Sequence, residues 1–204
     1  MKKLLITGCG RSGTKFIKTL LEKSKIDVDH EFTIKKNGLV TWGYFESKYK
    51  PKYMTRLDNT IFDKQYIQLR NPQEVSVSMH GAAGSKNVVW PYIEDVIPIV
   101  KNTNDFRKKS VLYWIYWNLK LFENIKNVYS IENYKPAYYK ICEDFSRKPL
   151  NKKDLIFLEN KKINKRIKKY FDHREFLDSD IKNNYDEVYE IYEKAKLNNG
   201  ILGI

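Results

Sequence analysis

The stretch Lys3-Leu4-Leu5-Ile6-Thr7-Gly8-Cys9-Gly10-Arg11-Ser12-Gly13-Thr14-Lys15-Phe16-Ile17 combines a short apolar run, a glycine-rich turn and the start of an amphipathic segment. The run from Leu4 to Thr7 has the length of a buried strand, and three glycines within six residues end it. Beyond them, apolar residues recur on one helical face, namely Phe16, Ile17, Leu20 and Leu21. The stretch predicts a strand, a loop and a helix.

The loop from Gly8 to Lys15 has the features of an anion-binding turn. Glycine lets the backbone turn tightly and approach a ligand, and the first N–H groups of the following helix point at any anion held there. Arg11 and Lys15 add positive charge at the same place. We therefore expect a phosphate or a similar group to bind here.

Three kinds of site fit this loop. Residues 8–13 match the G-x-G-x-x-G pattern of dinucleotide sites, with Asp27 or Asp29 near the position of a ribose-binding acid. They nearly match the NTPase loop G-x-x-x-x-G-K-[ST], but Thr14 stands at the lysine position and Lys15 follows one residue late, about 100° further round the helix. The third is the 5′-phosphosulfate loop of sulfotransferases, which Arg11-Ser12-Gly13-Thr14-Lys15 resembles closely.

Length and composition bound the protein class. With 204 residues, 42% of them apolar, we expect a single domain over residues 1–204. Two cysteines are too few for a disulfide framework, and no apolar run reaches about 18 residues, so we expect a cytoplasmic protein without a membrane span. The net charge of +13 favours an anionic partner, whether nucleotide, sulfated or acidic acceptor, or nucleic acid, unless it reflects only codon bias on a solvated surface.

Further apolar segments predict the other strands. Residues 26–29 predict a second strand that delivers His30 and Glu31 to its carboxyl end, where ligands bind in open α/β sheets. Residues 64–70 and residues 127–131 predict two more strands.

A helix start follows the strand that ends at Arg70. Asn71 is a suitable N-cap, Pro72 suits the first helical position, and Glu74 occupies the capping-box position. Ser78 lies eight residues after Arg70, about two turns into this helix. Arg70 should therefore emerge at the carboxyl edge of the sheet, beside a helix N-terminus.

Helical periodicity predicts four more helices. The longest covers residues 105–125, with Trp114 and Trp117 in the core, and the others lie near 136–145, 151–170 and 185–198. The helix predicted at residues 151–170 carries a basic cluster of Lys161, Lys162, Lys165, Arg166, Lys168 and Lys169. Residues 46–60 are predicted to be mostly loop.

Two blocks together resemble one family. Gly10-Arg11-Ser12-Gly13-Thr14 and Arg70-Asn71-Pro72, the latter with Glu74 and Ser78, each follow a predicted strand. They resemble the two cosubstrate signatures of sulfotransferases that use 3′-phosphoadenosine 5′-phosphosulfate (PAPS). The resemblance implies a three-layer α/β fold like that of P-loop nucleoside-triphosphate hydrolases, with a mainly parallel central sheet and helices on both faces. It also implies that Arg70 and Ser78 bind the 3′-phosphate, and that the loop through Lys15 binds the 5′-phosphate.

Weaker similarities run through the rest of the chain. His30-Glu31 followed by Gly38 and Trp42 resembles small bacterial sulfotransferase-like proteins, and Ile131-Glu132-Asn133-Tyr134 resembles a Tyr-Glu-Asp strand end. Ile163-Asn164-Lys165-Arg166 resembles a late Asn-x-Arg element. The Arg-Lys-Gly element that completes 3′-phosphate binding in cytosolic members is absent, so Arg166 or a nearby lysine would have to serve.

The resemblance assigns roles to the loop residues. Sulfuryl transfer is treated as an in-line displacement, by analogy with phosphoryl transfer, in which positioning and charge neutralisation dominate. The Thr14 hydroxyl would help to hold the 5′-phosphate. Arg11 and Lys15 would neutralise the charge that grows on the bridging oxygen as the nucleotide leaves.

The acceptor hydroxyl needs a general base, which is commonly worth ~100- to 10,000-fold in rate. Glu31 and His30 are the candidates. Since related enzymes that keep a carboxylate place it shortly after the loop helix, Glu31 is preferred. His80 is a poorer candidate, and His173 falls in a charged tail region.

The predicted function is transfer of the sulfuryl group of PAPS to a hydroxyl-bearing acceptor, such as a carbohydrate or a small molecule, with no nucleic-acid partner and no metal. A P-loop kinase and a non-catalytic nucleotide- or polyanion-binding protein are the alternatives. Acceptor specificity would reside in residues 32–60 and 84–104, with their aromatic residues Trp42, Tyr44, Phe45, Trp90 and Tyr92.

Overall fold

The computed structural model describes residues 2–57, 60–83, 89–160, 171–198 and 200–204, which form an α/β fold around a six-stranded sheet. The strands are β1 Leu4–Thr7, β2 Val28–His30, β3 Gly38–Val40, β4 Lys64–Leu69, β5 Asn127–Ser130 and β6 Leu202–Gly203. Their spatial order is β2-β3-β1-β4-β5-β6. All neighbouring pairs are parallel except β5 and β6.

Seven α-helices connect the strands in the described part of the chain. They are α1 Thr14–Lys23, α2 Pro72–Ala83, α3 Trp90–Val96, α4 Phe106–Phe122, α5 Lys135–Asp144, α6 Lys152–Asn160 and α7 Ser179–Leu197. Short 3-10 turns lie at Pro98–Asn102, Ile131–Asn133 and His173–Phe176.

Side-chain alternation along β1 gives the sheet two apolar faces. Leu4 and Ile6 point into one core with α1, α5 and α6, whereas Leu5 points into the other with α2, α3, α4 and α7. A mainly parallel sheet needs cover on both faces, and apolar side chains on these helices supply it. The expected arrangement of a central sheet between two helical layers is confirmed.

The connections at β1 and β4 create a crevice. These strands are adjacent and parallel, yet the helices that follow them, α1 and α2, lie on opposite faces of the sheet. In open α/β sheets, ligands bind outside the carboxyl ends of strands at such a switch point. The loop after β1 and Arg70 after β4 both stand at this edge.

Several elements differ from the sequence-based expectations. Strand β2 begins at Val28, two residues later than predicted, and β3 lies between β2 and β1, although no strand was predicted there. Helix α7 begins at Ser179 rather than Tyr185 because Asp178 caps it, its side chain accepting a hydrogen bond from the Ile181 N–H.

One predicted helix is seen only in part. Helix α6 accounts for the first half of residues 151–170. Residues 161–170 lie outside the described residues, and so does the basic cluster with Arg166 that was expected to complete a 3′-phosphate site.

Helix length bears on membrane association. Among the helices that the structure describes, none combines the length and the apolar character needed to cross a membrane.

Candidate active site

The glycine-rich loop is tightly fitted against the ends of β4 and β5. A Cβ atom at Gly8 would lie 2.3 Å from the carbonyl oxygen of Gln68, closer than real Cβ contacts allow. Gly13 has a φ of 95°, in the left-handed region, and directly precedes α1. These two positions explain why the loop needs glycine: one for close approach to β4, the other for the turn into the helix.

Buried polar contacts hold the loop in shape. The Gly10 N–H donates to the hydroxyl of Tyr113, and Gln68 Nε2 donates to the Ser12 carbonyl oxygen at 2.6 Å. The hydroxyl of Tyr129 donates to Gln68 Oε1, also at 2.6 Å, which fixes the amide of Gln68 in turn. The loop is therefore preorganised by residues of β4, β5 and α4.

The interior of the loop contains hydrogen-bond donors that the loop itself does not use. Ser12 Oγ is fully buried and has no hydrogen-bond partner among the described residues, and it lies 2.8 Å from where a Gly8 Cβ would stand. Gly13 gives α1 no side-chain cap, so the first N–H groups of the helix, at Thr14 and Lys15, are directed at the same space. Buried donors without partners are costly, and an anion would satisfy them.

Arg11 and Ser78, which the resemblance assigned to different phosphates, are in direct contact. Arg11 has a φ of 76°, and its Nε donates to Ser78 Oγ at 2.9 Å. Arg70 Nη1 donates to the carbonyl oxygen of Arg11 at 3.0 Å. The structure thus brings the two sequence blocks together on either side of the β1–β4 crevice.

The expected capping box at the start of α2 is only half formed. Asn71 Oδ1 does accept from the Glu74 N–H at 3.2 Å. The Glu74 carboxylate, however, forms an ion pair with Arg70, and the Asn71 N–H donates to Glu132 Oε1 at 2.9 Å. The prediction that Glu74 completes a capping box is therefore wrong, because the neighbouring guanidinium attracts its charge more strongly than a backbone N–H.

Glu31 directly follows β2 and is 9% exposed. Its φ of 72° is left-handed, an unfavourable conformation for a side chain of this type. Burial raises the pKa of the Glu31 carboxyl to about 7, while hydrogen bonding from Trp42 and the charge of Arg11 act in the opposite direction. A carboxyl with a pKa near 7 is well matched to general-base chemistry at neutral pH.

His30 stands between Glu31 and the loop. Its Nε2 lies 3.0 Å from Thr14 Oγ1 and 3.5 Å from Glu31 Oε1. Burial, with the charges of Lys18 and Lys15, lowers the pKa of His30 to about 4. The imidazole is therefore neutral at physiological pH.

The remaining charged and histidine candidates have distinct surroundings. Lys15 is exposed on the first turn of α1, close enough to His30 to affect its pKa. His80 packs edge-on against Phe171, with ring centroids 5.7 Å apart. His173, in the charged segment near the end of the chain, is 6% exposed and contacts Gln73 and Tyr185.

The aromatic residues proposed for acceptor binding divide into two groups. Trp90 and Tyr92 belong to α3 and are buried in the core, so they are not available to an acceptor. Trp42 is also buried in that core and packs between Tyr92, Tyr113 and Trp117, whereas Tyr44 and Phe45 are partly buried. Residues 84–88 of the predicted specificity segment lie outside the described residues.

Sequence reasoning missed two supports of the loop, Gln68 and Tyr113. A signal for Gln68 was present, since a polar side chain between the apolar strand residues Ile67 and Leu69 must find a buried partner. Tyr113 is one aromatic residue among many on α4, and nothing in the sequence distinguishes it.

Comparison with protein-family models, with curated proteins and with solved structures gives no match. The functional interpretation therefore rests on the geometry of this site and on the two sequence blocks.

Proposed function

We propose that this protein is a sulfotransferase that transfers the sulfuryl group of PAPS to a hydroxyl of an acceptor molecule, on a fold of the P-loop type. The observation that carries the proposal is the position of Glu31. A buried carboxyl lies 3.5 Å from His30 Nε2, which is itself 3.0 Å from Thr14 Oγ1 in a glycine loop whose Ser12 Oγ has no hydrogen-bond partner among the described residues. A nucleotide-binding module has no need of such a carboxyl.

The residues of the loop fit a 5′-phosphosulfate. Ser12 Oγ and the first N–H groups of α1 would donate to the phosphate oxygens, and the absence of a Cβ at Gly8 leaves room for Ser12 Oγ and for the close packing of the loop on β4. Thr14, whose side chain is buried beside His30, would add a hydroxyl donor. These donors are held in place before any ligand binds.

The second block fits a 3′-phosphate. Arg70 is about one-third exposed and donates to the Arg11 carbonyl oxygen, so its guanidinium reaches the crevice. Ser78 is buried and accepts from Arg11. Arg70 and Ser78 together offer the cationic and hydroxyl donors that a phosphate monoester requires, and the contact with Arg11 holds the Ser78 hydroxyl in place.

The cosubstrate supplies the sulfuryl group and a phosphate leaving group. Glu31, as the carboxylate, accepts the proton of the acceptor hydroxyl as that oxygen attacks sulfur. Arg11 and Lys15 offset the negative charge that develops as the leaving group departs. The high pKa of Glu31 makes it a stronger base than an exposed glutamate.

Ligand binding tests the first half of the proposal. We expect 3′-phosphoadenosine 5′-phosphate to raise the melting temperature far more than AMP, ADP or NAD. Replacing Ser78 with alanine should reduce this preference, while Ser76→Ala, also buried on α2 but two residues away, should leave it unchanged. Equal shifts with all four nucleotides would contradict the assignment.

Transfer of labelled sulfate from PAPS to a panel of hydroxyl acceptors tests the second half. Glu31→Gln should reduce turnover by at least ~100-fold with little change in nucleotide binding, whereas Glu123→Gln, an exposed control after α4, should be fully active. If the wild-type protein binds the nucleotide tightly but never transfers sulfate, the result favours a non-catalytic nucleotide-binding protein instead.

A further inference from the structure

Three side chains from two different elements meet beside the loop. Thr14 is the first residue of α1, His30 ends β2, and Glu31 follows it. A single atom, His30 Nε2, is 3.0 Å from Thr14 Oγ1 and 3.5 Å from Glu31 Oε1. One ring nitrogen therefore contacts both a hydroxyl of the anion loop and the carboxyl assigned as the base.

These contacts restrict where protons can be. A nitrogen of a neutral imidazole either donates or accepts, and the Thr14 hydroxyl has only one proton to donate. If Thr14 donates to His30 Nε2, it cannot donate to an anion in the loop. If it donates to an anion, the contact with His30 persists only when Nε2 carries the ring proton, and the Glu31 carboxyl, 3.5 Å away, then lies beside the partial positive charge of that N–H.

We propose that His30 is a positioning residue that couples occupancy of the loop to the state of Glu31. An anion that accepts from Thr14 selects the Nε2–H tautomer of His30, which donates to Thr14 and stabilises the Glu31 carboxylate. The ring loses a proton from Nδ1 and gains one at Nε2, so its charge does not change. The inference rests on the proposed function, because it requires an anion in the loop.

The surroundings of both groups are consistent with this coupling. His30 is kept neutral by burial and by Lys18 and Lys15, with Asp29 opposing them. The groups that act on Glu31, or whose own pKa it affects, are Arg11, Trp42, Tyr53 and Tyr113. The negative charge of a bound nucleotide would disfavour ionisation of Glu31, and the His30 N–H would oppose that effect. Since coupling between sites is reciprocal, an ionised Glu31 also frees the Thr14 hydroxyl for the anion.

The ring ¹⁵N chemical shifts of His30 report its tautomer directly. In the full chain at pH 7, we expect the Nε2–H form to become dominant when 3′-phosphoadenosine 5′-phosphate or inorganic sulfate is added. Thr14→Ser should retain the change and Thr14→Val should lose it. The melting temperature, recorded on the same samples, reports binding separately.

The outcomes separate the two proposals. A nucleotide-induced rise in melting temperature without a change of tautomer overturns the coupling and leaves the sulfotransferase proposal standing. A His30 ring that is already Nε2–H without ligand also overturns the coupling. If neither ligand raises the melting temperature, the anion site itself is refuted, and the coupling with it.

The pH dependence of turnover provides a second readout, which a merely structural role would not move. His30→Phe removes the N–H donor that stabilises the Glu31 carboxylate. The midpoint of the acid limb of the profile should therefore move to higher pH by about one unit, which is a tenfold change in proton affinity. His30→Gln restores an N–H near the position of Nε2 and should shift the limb by much less. His80→Phe controls for the loss of a histidine elsewhere. Equal shifts in the two His30 variants, or none, would contradict the proposal.

Discussion

Replacing Glu31 with glutamine should make the protein more stable while strongly reducing the proposed sulfuryl transfer. Burial raises the pKa of this carboxyl from 4.5 to about 7. Between those values the folded protein binds more protons than the unfolded chain, so the free energy of unfolding falls as pH rises. Each pH unit costs about 1.4 kcal/mol, so the ionised carboxylate destabilises the fold by about 3 kcal/mol above pH 7.

Glutamine carries no charge at any pH and has nearly the same shape as the protonated acid. Glu31→Gln should therefore match the wild type near pH 4 and exceed it by about 3 kcal/mol at pH 8, which is roughly 6–12 °C in melting temperature for a chain of this size. Urea and thermal unfolding of both proteins from pH 4 to 8 measure the difference, in which the contributions of other groups cancel. A wild-type protein at least as stable as the variant at pH 8 would refute the reasoning.

Three further predictions concern the surroundings of the site. Trp42→Phe removes a hydrogen bond that favours the Glu31 carboxylate, so the acid limb of the turnover profile should move up by about one pH unit; an unchanged limb would argue against that bond. Gly8→Ala should lower the free energy of unfolding by about 1–3 kcal/mol or more. Gly200→Ala should be neutral in the same urea titration, because the added Cβ would have no atom of the described residues within 4 Å. Burial lowers the pKa of His173 from 6.5 to about 4, so this side chain should contribute a loss of about 3 kcal/mol as pH falls through that interval, and the stability of His173→Gln relative to the wild type should rise by that amount; identical slopes of the two proteins would contradict it.

The elements predicted correctly are those with strong local signals. Gly8, Gly10 and Gly13 mark the end of β1 and the start of α1, and Asn71-Pro72 marks the start of α2. The apolar periodicity of α4 is equally local. Because each signal lies within a few residues of its effect, no knowledge of the rest of the fold was needed to find the loop and Arg70.

The elements that were missed depend on distant partners. The strand residues of β3 are a glycine and two aliphatic residues, and they form a strand only because β1 and β2 pair with them on either side. The position of β3 between β1 and β2 also determines which side chains surround Glu31, so the raised pKa of Glu31 could not be predicted from the sequence. Strand β6 likewise exists only through its antiparallel pairing with β5.

The pairing between α2 and the segment from Phe171 to Phe176 was also beyond sequence reasoning. Gln73 Oε1 accepts from the backbone N–H of His173 at 2.8 Å, across about half the length of the chain. No local pattern indicates which glutamine will meet which histidine, since both residue types are commonly exposed.

The bond between the Gly10 N–H and the Tyr113 hydroxyl has a consequence for hydrogen exchange. Tyr113 is fully buried on α4, the long helix at the centre of one core, so this bond can break only when that core opens. The Gly10 amide should thus exchange with solvent as slowly as the core helices, although it lies in a loop. The amides of Thr14 and Lys15, only four and five residues later, should exchange rapidly until an anion protects them. A single short peptide of the chain would then report global unfolding at one end and ligand occupancy at the other.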